Sequence, residues 1–123
     1  MNGKILHIED DENICLMVKE ILGNKGFDCS YVLKAETALK LLKEKNYDLI
    51  LLDLKLESKM QGEDFLKELK KLKIKTKVIP LTASPETIKQ ELKKEYPEYI
   101  IDIILKPFAS QELVKKIENA LKQ

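Results

Sequence analysis

The stretch YDLILLDLKL at residues 47–56 decides the fold class of this chain. Its centre, LILL at residues 49–52, is apolar at four successive positions rather than at alternate ones. That pattern predicts a strand covered on both faces, as in a parallel sheet with helices on either side. Asp53 follows the run directly, so a carboxylate stands at the end of a buried strand. Ligand sites of such sheets lie at the carboxyl ends of the strands, which makes Asp53 a candidate functional residue.

Similar apolar runs recur along the chain and predict four more strands, at residues 5–8 (ILHI), 30–33 (SYVL), 78–81 (VIPL) and 100–105 (IIDIIL). Pro80 lacks an N–H donor and weakens the fourth of these predictions. Segments of helical periodicity alternate with the runs. Five strand–helix units in alternation predict an α/β fold, a doubly wound parallel sheet with helices on both faces.

Each predicted strand is followed by apolar residues at helical spacing. The five stripes are Ile14, Met17, Val18, Ile21 and Leu22; Ala35, Ala38, Leu39 and Leu42; Phe65, Leu66, Leu69 and Leu72; Ile88, Leu92 and Tyr96; and Leu113, Val114, Ile117 and Leu121. We expect Gly26 to close the first helix and Ser110 to cap the fifth. The fourth stripe is the thinnest.

The bulk composition fits one domain spanning residues 1–123, with 44% apolar residues to build a core. The formal net charge is +1, which gives no electrostatic case for nucleic-acid binding. All 22 basic residues are lysines, so the planar fork that grips phosphate bidentately is missing and a large anionic substrate is a poor fit.

The compartment is predicted from the cysteines and the first residues. Cys15 and Cys29 fit neither a disulfide framework nor a metal-ligand spacing, so we expect free thiols in a reducing cytosol. The apolar start is too short for a signal peptide or a membrane span. A cytoplasmic protein without a membrane partner is therefore expected.

The predicted strand ends carry unusual chemistry. Glu9 and Asp10 open an acidic cluster after the first strand, Asp53 follows the third, Thr82 the fourth and Lys106 the fifth. Each residue alone has an ordinary explanation as a helix cap or a solvated loop residue. Because one parallel sheet brings these ends to the same edge, we expect the side chains to meet.

The negative charge of the carboxylates at these strand ends predicts a bound cation. Three carboxylates within about 5 Å repel by roughly 3 kcal/mol per pair at an effective dielectric near 20. An all-oxygen set favours Mg²⁺, with Mn²⁺ as an alternative. A carboxylate beside such an ion and a lysine can attack phosphorus, while a threonine hydroxyl donates to a phosphoryl oxygen. The pattern therefore predicts an acyl-phosphate site.

Four segments carry a family resemblance: KILHIEDDEN at residues 4–13, YDLILLDLKL at 47–56, VIPLTA at 78–83 and DIILKPF at 102–108. Together they resemble the response-regulator receiver domain of two-component signalling, in a single-domain form like the chemotaxis regulator. The resemblance covers the whole chain. It implies a flavodoxin-like fold, with a five-stranded parallel sheet in the order 2-1-3-4-5 and five helices.

The resemblance also implies a role for each site residue. Glu9 and Asp10 would be the acid pair, with Asp10 as the direct metal ligand, and Asp53 would be the phosphoacceptor. The backbone carbonyl of Lys55 would be a further metal ligand. Thr82 would supply the switch hydroxyl, and Lys106 the ammonium that pairs with the phosphoryl group. The Lys106–Pro107 bond is expected to be cis.

The implied function is a switch rather than an enzyme, with at most slow self-phosphorylation from small donors and autodephosphorylation. A sensor histidine kinase would supply the phosphoryl group, and a downstream target protein would read the changed surface. Two alternatives stay open: a phosphorelay intermediate serving a histidine phosphotransfer protein, and an interaction module that is never phosphorylated. We expect a domain without an effector domain after the fifth helix, or alternatively a domain excised from a longer protein. A monomer or weak dimer is expected.

The chain departs from the family pattern at three places. The connection from Asp53 to Gly62 is one residue longer than usual, with Glu57 where proline is common. The segment from Thr82 to Lys106 is also long, with YPEY at residues 96–99 in place of small residues. Ile103 stands where the family often has Tyr or Phe.

Three other features receive ordinary interpretations. His7 lies among apolar residues and is predicted to belong to the core rather than to a phosphorelay. The lysines between residues 67 and 77 predict a solvated face, or alternatively a dock for an acidic partner. Lys55 stands where an aspartate phosphatase would carry its acid, which excludes that enzyme class.

Overall fold

The computed structural model describes residues 3–56, 59–83 and 86–122, without the side chains at 86, 88 and 89. Glu57 therefore lies outside the described residues, as does the side chain of Ile88. The strands are β1 (Lys4–Ile8), β2 (Asp28–Val32), β3 (Leu49–Leu52), β4 (Val78–Thr82) and β5 (Ile104–Leu105). The helices are α1 (Glu12–Gly23), α2 (Ala35–Glu44), α3 (Gly62–Lys71), α4 (Glu86–Glu95) and α5 (Ser110–Leu121).

The strands form one parallel sheet in the order β2-β1-β3-β4-β5. This confirms the predicted topology. Successive side chains of β1 enter different cores: Leu6 packs into the cluster that includes α2 and α3, and Ile5 into the one that includes α1 and α5. All four residues of β3 are buried, as the apolar run predicted for a strand covered on both faces.

The predicted fifth strand at residues 100–105 is wrong in extent, because β5 comprises only Ile104–Leu105. The reason lies in β4. The N–H of Val78 donates to the carbonyl of Tyr99, so Pro80, two residues on, turns its nitrogen toward the same side. Proline has no hydrogen to donate there, and regular pairing resumes only at Leu81 with Ile104. Strand β4 itself forms as predicted, although it contains Pro80.

The apolar faces of the helices are largely as predicted, with one correction on the buried face of α1 and two at helix ends. In α1, Met17 is 45% exposed whereas Cys15 is fully buried. That helix ends at Gly23, and Gly26, with φ of +87°, closes the turn beyond it instead. The cap of α5 is Ala109, which leaves Ser110 as the first helical residue.

Two elements, β2 and α3, also end one residue earlier in the chain than predicted. Strand β2 runs over residues 28–32 rather than 30–33, and Leu33 is 41% exposed beyond it. Leu72, the last residue of the third stripe, is the C-cap of α3 and is likewise 41% exposed. In both places the apolar run continues one residue past the end of the element.

The long segment after α4 is packed rather than loose. Tyr96 and Tyr99 are both buried in the cluster that contains Ile103. The N–H groups of Tyr99 and Ile100 both donate to the carbonyl of Tyr96, at 3.0 Å each. The unusual YPEY sequence therefore extends the core. Among the described helices, none has the length and apolar character needed to cross a membrane.

Candidate functional site

The candidate site lies at the carboxyl edge of the sheet, where backbone hydrogen bonds continue past the strand ends. The N–H of Asp53 donates to the carbonyl of Ile8 at 3.0 Å, one residue beyond β3. The N–H of Lys106 donates to the carbonyl of Thr82 at 3.0 Å, one residue beyond β5. Since the ladder fixes these positions, it brings Asp53 between β1 on one side and β4 on the other.

Asp53 is only 6% exposed, and its carboxylate accepts three hydrogen bonds from the part of the chain that the structure describes. Its Oδ1 accepts from the Thr82 hydroxyl at 2.9 Å and from the Lys55 backbone N–H at 3.0 Å. Its Oδ2 accepts from the Lys106 ammonium at 3.1 Å. These donors compensate the burial of the charge.

Glu9 is the second buried carboxylate, at 1% exposure. Its Oε1 accepts from the ammonium of Lys106, and its Oε2 from the backbone N–H of Asp11 at 3.2 Å. Burial raises the pKa of Glu9 to about 7, although the Lys106 hydrogen bond opposes the shift. For Lys106, burial alone would lower the pKa, but Glu9 and Asp53 together outweigh it and raise the pKa. Lys106 is therefore a permanent cation between two acids.

Glu9, Asp10 and Asp53 form an acidic cluster that can hold a metal ion. One carboxylate oxygen from each lies within 4.8 Å of the others. Three carboxylate oxygens this close, with one ammonium among them, leave an excess of negative charge, and a hard divalent cation is its natural partner. The residues present therefore fit Mg²⁺ or Mn²⁺. The backbone carbonyl of Lys55 as a fourth ligand stays a prediction.

The four consecutive acids at residues 9–12 divide into two pairs. Glu9 and Asp10 belong to the acidic cluster. Asp11 is the N-cap of α1, where its Oδ1 accepts from the N–H of Asn13 at 3.0 Å. Glu12 accepts from the Tyr31 hydroxyl at 3.0 Å. The start of α1 thus marks the end of the acidic cluster along the chain.

The peptide bond between Lys106 and Pro107 is cis, as expected.

Sequence reasoning did not single out two residues that shape the site, Gln61 and Gly62. The Gln61 side chain binds the backbone of Leu56, and a Cβ on Gly62 would lie 2.8 Å from the Cα of Leu54. A glycine directly before a helical stripe was the available signal. His7, in contrast, is fully buried in β1, as predicted for a core residue.

Fold and acidic edge together define a flavodoxin-like α/β protein with a candidate divalent-cation site. A family model described as the response regulator receiver domain matches residues 5–118. The chain therefore belongs to the response regulator receiver domain family of two-component systems.

Curated relatives agree with this assignment. The chain is 37% identical over 121 residues to the transcriptional regulatory protein CpxR of Klebsiella pneumoniae, covering 98% of this chain and 50% of CpxR. It is 31% identical over 123 residues to the alkaline phosphatase synthesis transcriptional regulatory protein PhoP of Bacillus subtilis, covering 100% of this chain and 50% of PhoP. The chain thus spans about half the length of these relatives.

Solved structures agree with the fold. The receiver domain of the Francisella response regulator 1452 superposes with a TM-score of 0.85 at 29% identity, covering 98% of this chain and 97% of that one. A CheY-like response regulator receiver domain protein from Methanospirillum hungatei gives 0.86 at 26% identity, covering 97% and 93%. The likeness extends over nearly the whole of each domain.

Proposed function

We propose that this chain is a phosphoryl-accepting switch in which Asp53 takes a phosphoryl group from a sensor histidine kinase. The observation that carries the proposal is the setting of Asp53. Its carboxylate is buried at a strand end, contacts Lys106 and Thr82, and shares an acidic cluster with Glu9 and Asp10. Family membership supports the same role, since receiver domains are phosphoacceptors.

Each site residue has a defined part in this proposal. A carboxylate oxygen of Asp53 attacks phosphorus, forming the acyl-phosphate bond as the bond to the donor group breaks. Lys106 offers an ammonium, and Thr82 a hydroxyl, to the transferring oxygens. Glu9, Asp10, Asp53 and the Lys55 carbonyl would hold Mg²⁺, with Mn²⁺ as an alternative. The bound ion would supply positive charge against the oxygens of the phosphoryl group.

The test is phosphorylation by a small donor, followed by intact mass. Incubation with acetyl phosphate and Mg²⁺ should add one phosphoryl group, and Asp53→Asn should abolish the addition because the attacking carboxylate is gone. Asp28→Asn is the matched control, since it removes a carboxylate at the opposite end of the sheet and should be phosphorylated normally. Full labelling of Asp53→Asn would overturn the proposal.

We further propose that residues 1–123 form a single receiver domain that acts in the cytoplasm. Phosphorylation would change a protein-interaction surface that a downstream target protein recognises. The domain turns over no substrate beyond slow self-phosphorylation and autodephosphorylation, and it acts as a monomer or weak dimer without nucleic acid or membrane. A phosphorelay intermediate would use the same residues. Return of the phosphoryl group from Asp53 to a histidine phosphotransfer protein would distinguish the relay from the switch.

A further inference from the structure

Among the described residues between β3 and α3, the side chain of Gln61 binds the backbone of Leu56. Its Oε1 accepts from the backbone N–H of Leu56 at 2.9 Å, and its Nε2 donates to the backbone carbonyl of Leu56 at 2.6 Å. The side-chain amide thus pairs with one residue as a neighbouring strand would. The match is directional, because exchanging the amide oxygen and nitrogen would oppose acceptor to acceptor and donor to donor.

This pairing fixes the direction of a carbonyl that Gln61 does not touch. The N–H of Leu56 and the carbonyl of Lys55 belong to the same peptide group, which is planar and trans, so they point in opposite directions. When Gln61 Oε1 holds that N–H, it also sets where the Lys55 oxygen points. The Lys55 oxygen is the atom proposed as a backbone ligand of the cation.

Two described backbone N–H groups on either side of this pairing are also hydrogen-bonded. The N–H of Lys55 donates to Asp53 Oδ1 at 3.0 Å, and the N–H of Gly62 donates to the carbonyl of Leu54 at 3.3 Å. Gln61 is itself held at the start of α3, where its N–H donates to Asp64 Oδ2 at 3.0 Å. Gln61 therefore transmits the position of α3 to the peptide group after Lys55.

We propose that Gln61 is a positioning residue that orients the Lys55 backbone carbonyl toward the divalent cation. The inference rests on the proposed function, because it assumes that the acidic cluster binds Mg²⁺. Its physical basis is preorganisation. A carbonyl that already points at the cation loses less conformational freedom on binding than one on an unfastened loop.

The test compares Mg²⁺ affinity between two variants, measured by the dependence of the melting temperature on Mg²⁺ concentration. Gln61→Met keeps the length of the side chain and removes both bonds to Leu56. Asp64→Ala removes the acceptor at the start of α3 without touching Leu56. We expect Gln61→Met to weaken Mg²⁺ binding about tenfold, as for other groups that orient metal ligands. Asp64→Ala keeps both bonds between Gln61 and Leu56, so it should lower the metal-free melting temperature while weakening Mg²⁺ binding much less than Gln61→Met does.

The outcomes separate this inference from the function on which it rests. If the unaltered protein binds Mg²⁺ and Gln61→Met binds it equally tightly, the positioning role is wrong and the proposed function stands. If the unaltered protein does not bind Mg²⁺, both fail. Should Gln61→Met not fold, hydrogen exchange on the unaltered protein decides. The Leu56 amide should be protected without Mg²⁺, and exchange at the rate of an open loop would overturn the inference.

Discussion

At the scale of single residues, the site balances three buried or half-buried acids against one ammonium. Asp53 and Glu9 share Lys106, whereas Asp10 joins the cluster at its half-buried rim. The negative charge remaining at this edge destabilises the metal-free protein, because the unfolded chain lets the carboxylates separate. The same excess of charge would attract a divalent cation. Stability and metal binding should therefore respond in opposite directions when one acid is neutralised.

Asp10→Asn tests this opposition. The substitution should stabilise the metal-free protein by about 1 kcal/mol, or roughly 3–5 °C in Tm, and should weaken Mg²⁺ binding. Melting curves recorded against Mg²⁺ concentration measure both quantities. Asp28→Asn, remote from the cluster, should change neither by a similar amount. A less stable metal-free Asp10→Asn with unaltered Mg²⁺ affinity would contradict the picture of repelling acids.

His7 is a polar residue at a fully buried position of β1. Neither ring nitrogen has a hydrogen-bond partner among the described residues, and the side chain is fully buried. Burial lowers the pKa of His7 to about 3, with the charge of Lys106 acting in the same direction and that of Asp53 opposing it. An unsatisfied buried polar group costs roughly 1–3 kcal/mol.

We therefore expect His7→Leu, which is close in volume, to stabilise the protein by about 1–2 kcal/mol at pH 7 in denaturant titrations. The sign at acid pH follows from the lowered pKa. In the unfolded chain His7 is protonated below about pH 6.5, whereas in the folded protein it stays neutral down to about pH 3. The free energy of unfolding therefore falls as the pH is lowered from about 6.5 to about 3. His7→Leu should remove that part of the acid sensitivity. A destabilised variant with the slope of the unaltered protein would refute this.

At the scale of elements, the turn into α3 depends on the absence of a side chain at Gly62. A Cβ there would lie 2.8 Å from the Cα of Leu54 and 3.1 Å from the carbonyl oxygen of Asp53. Backbone atoms cannot give way as a flexible side chain can. The close approach therefore fixes α3 against the segment that carries the acceptor.

Gly62→Ala should accordingly cost about 1–3 kcal/mol of stability, as for overpacking elsewhere. Gly23→Ala is the matched control, since a Cβ at the end of α1 would meet nothing within 4 Å. That control should stabilise by about 0.5–1 kcal/mol, because alanine loses less conformational freedom on folding. Urea unfolding of both variants decides, and equal effects would show that the contact with Leu54 is unimportant.

Much of the architecture could be predicted from the sequence because short apolar runs alternate regularly with segments of helical periodicity. Strand β3 and the sheet order were confirmed. What failed depends on neighbours that a linear pattern does not contain. The extent of β5 is set by Pro80 on another strand, and the burial of Cys15 in place of Met17 by the exact rotation of α1.

The site divides in the same way. The strand-end residues Glu9, Asp53 and Lys106 could be predicted to meet, because a parallel sheet brings its carboxyl ends to one edge. The pairing of the Gln61 side chain with the backbone of Leu56 could not be predicted, because it depends on the tertiary position of Gln61 relative to Leu56. Spacing along the chain carries no signal for a hydrogen bond between a loop backbone and a side chain.

At the scale of the whole molecule, the proposed function requires that phosphorylation of Asp53 change a surface of the protein, although position 103 carries isoleucine rather than an aromatic residue. The Thr82 hydroxyl already donates to Asp53, and Ile103 is buried beside Tyr96 and Leu92. A β-branched side chain is stiff at χ1 and sweeps less volume than a ring. Helix α4 has the thinnest predicted apolar stripe, so we expect the change to travel through the segment after Thr82 and through α4.

Hydrogen exchange with and without a phosphoryl mimic should therefore show its main change in α4. Ile103→Val should leave the response nearly intact, because the core loses one methylene group and no moving ring. Thr82→Ala should reduce the response severalfold, because the hydroxyl link to Asp53 is lost. Exchange that changes around Ile103 while α4 stays constant would exclude this route.

In the proposed function the phosphoryl group is carried by Asp53, and chemical trapping can locate it. After reaction with acetyl phosphate and Mg²⁺, borohydride reduces an acyl phosphate to an alcohol, which peptide mass spectrometry can locate. We predict reduction at position 53, lost when Mg²⁺ is chelated, with Glu9 and Asp10 unaltered. Reduction at Asp10 or at any other carboxylate, with Asp53 intact, would show that Asp53 is not the phosphoacceptor.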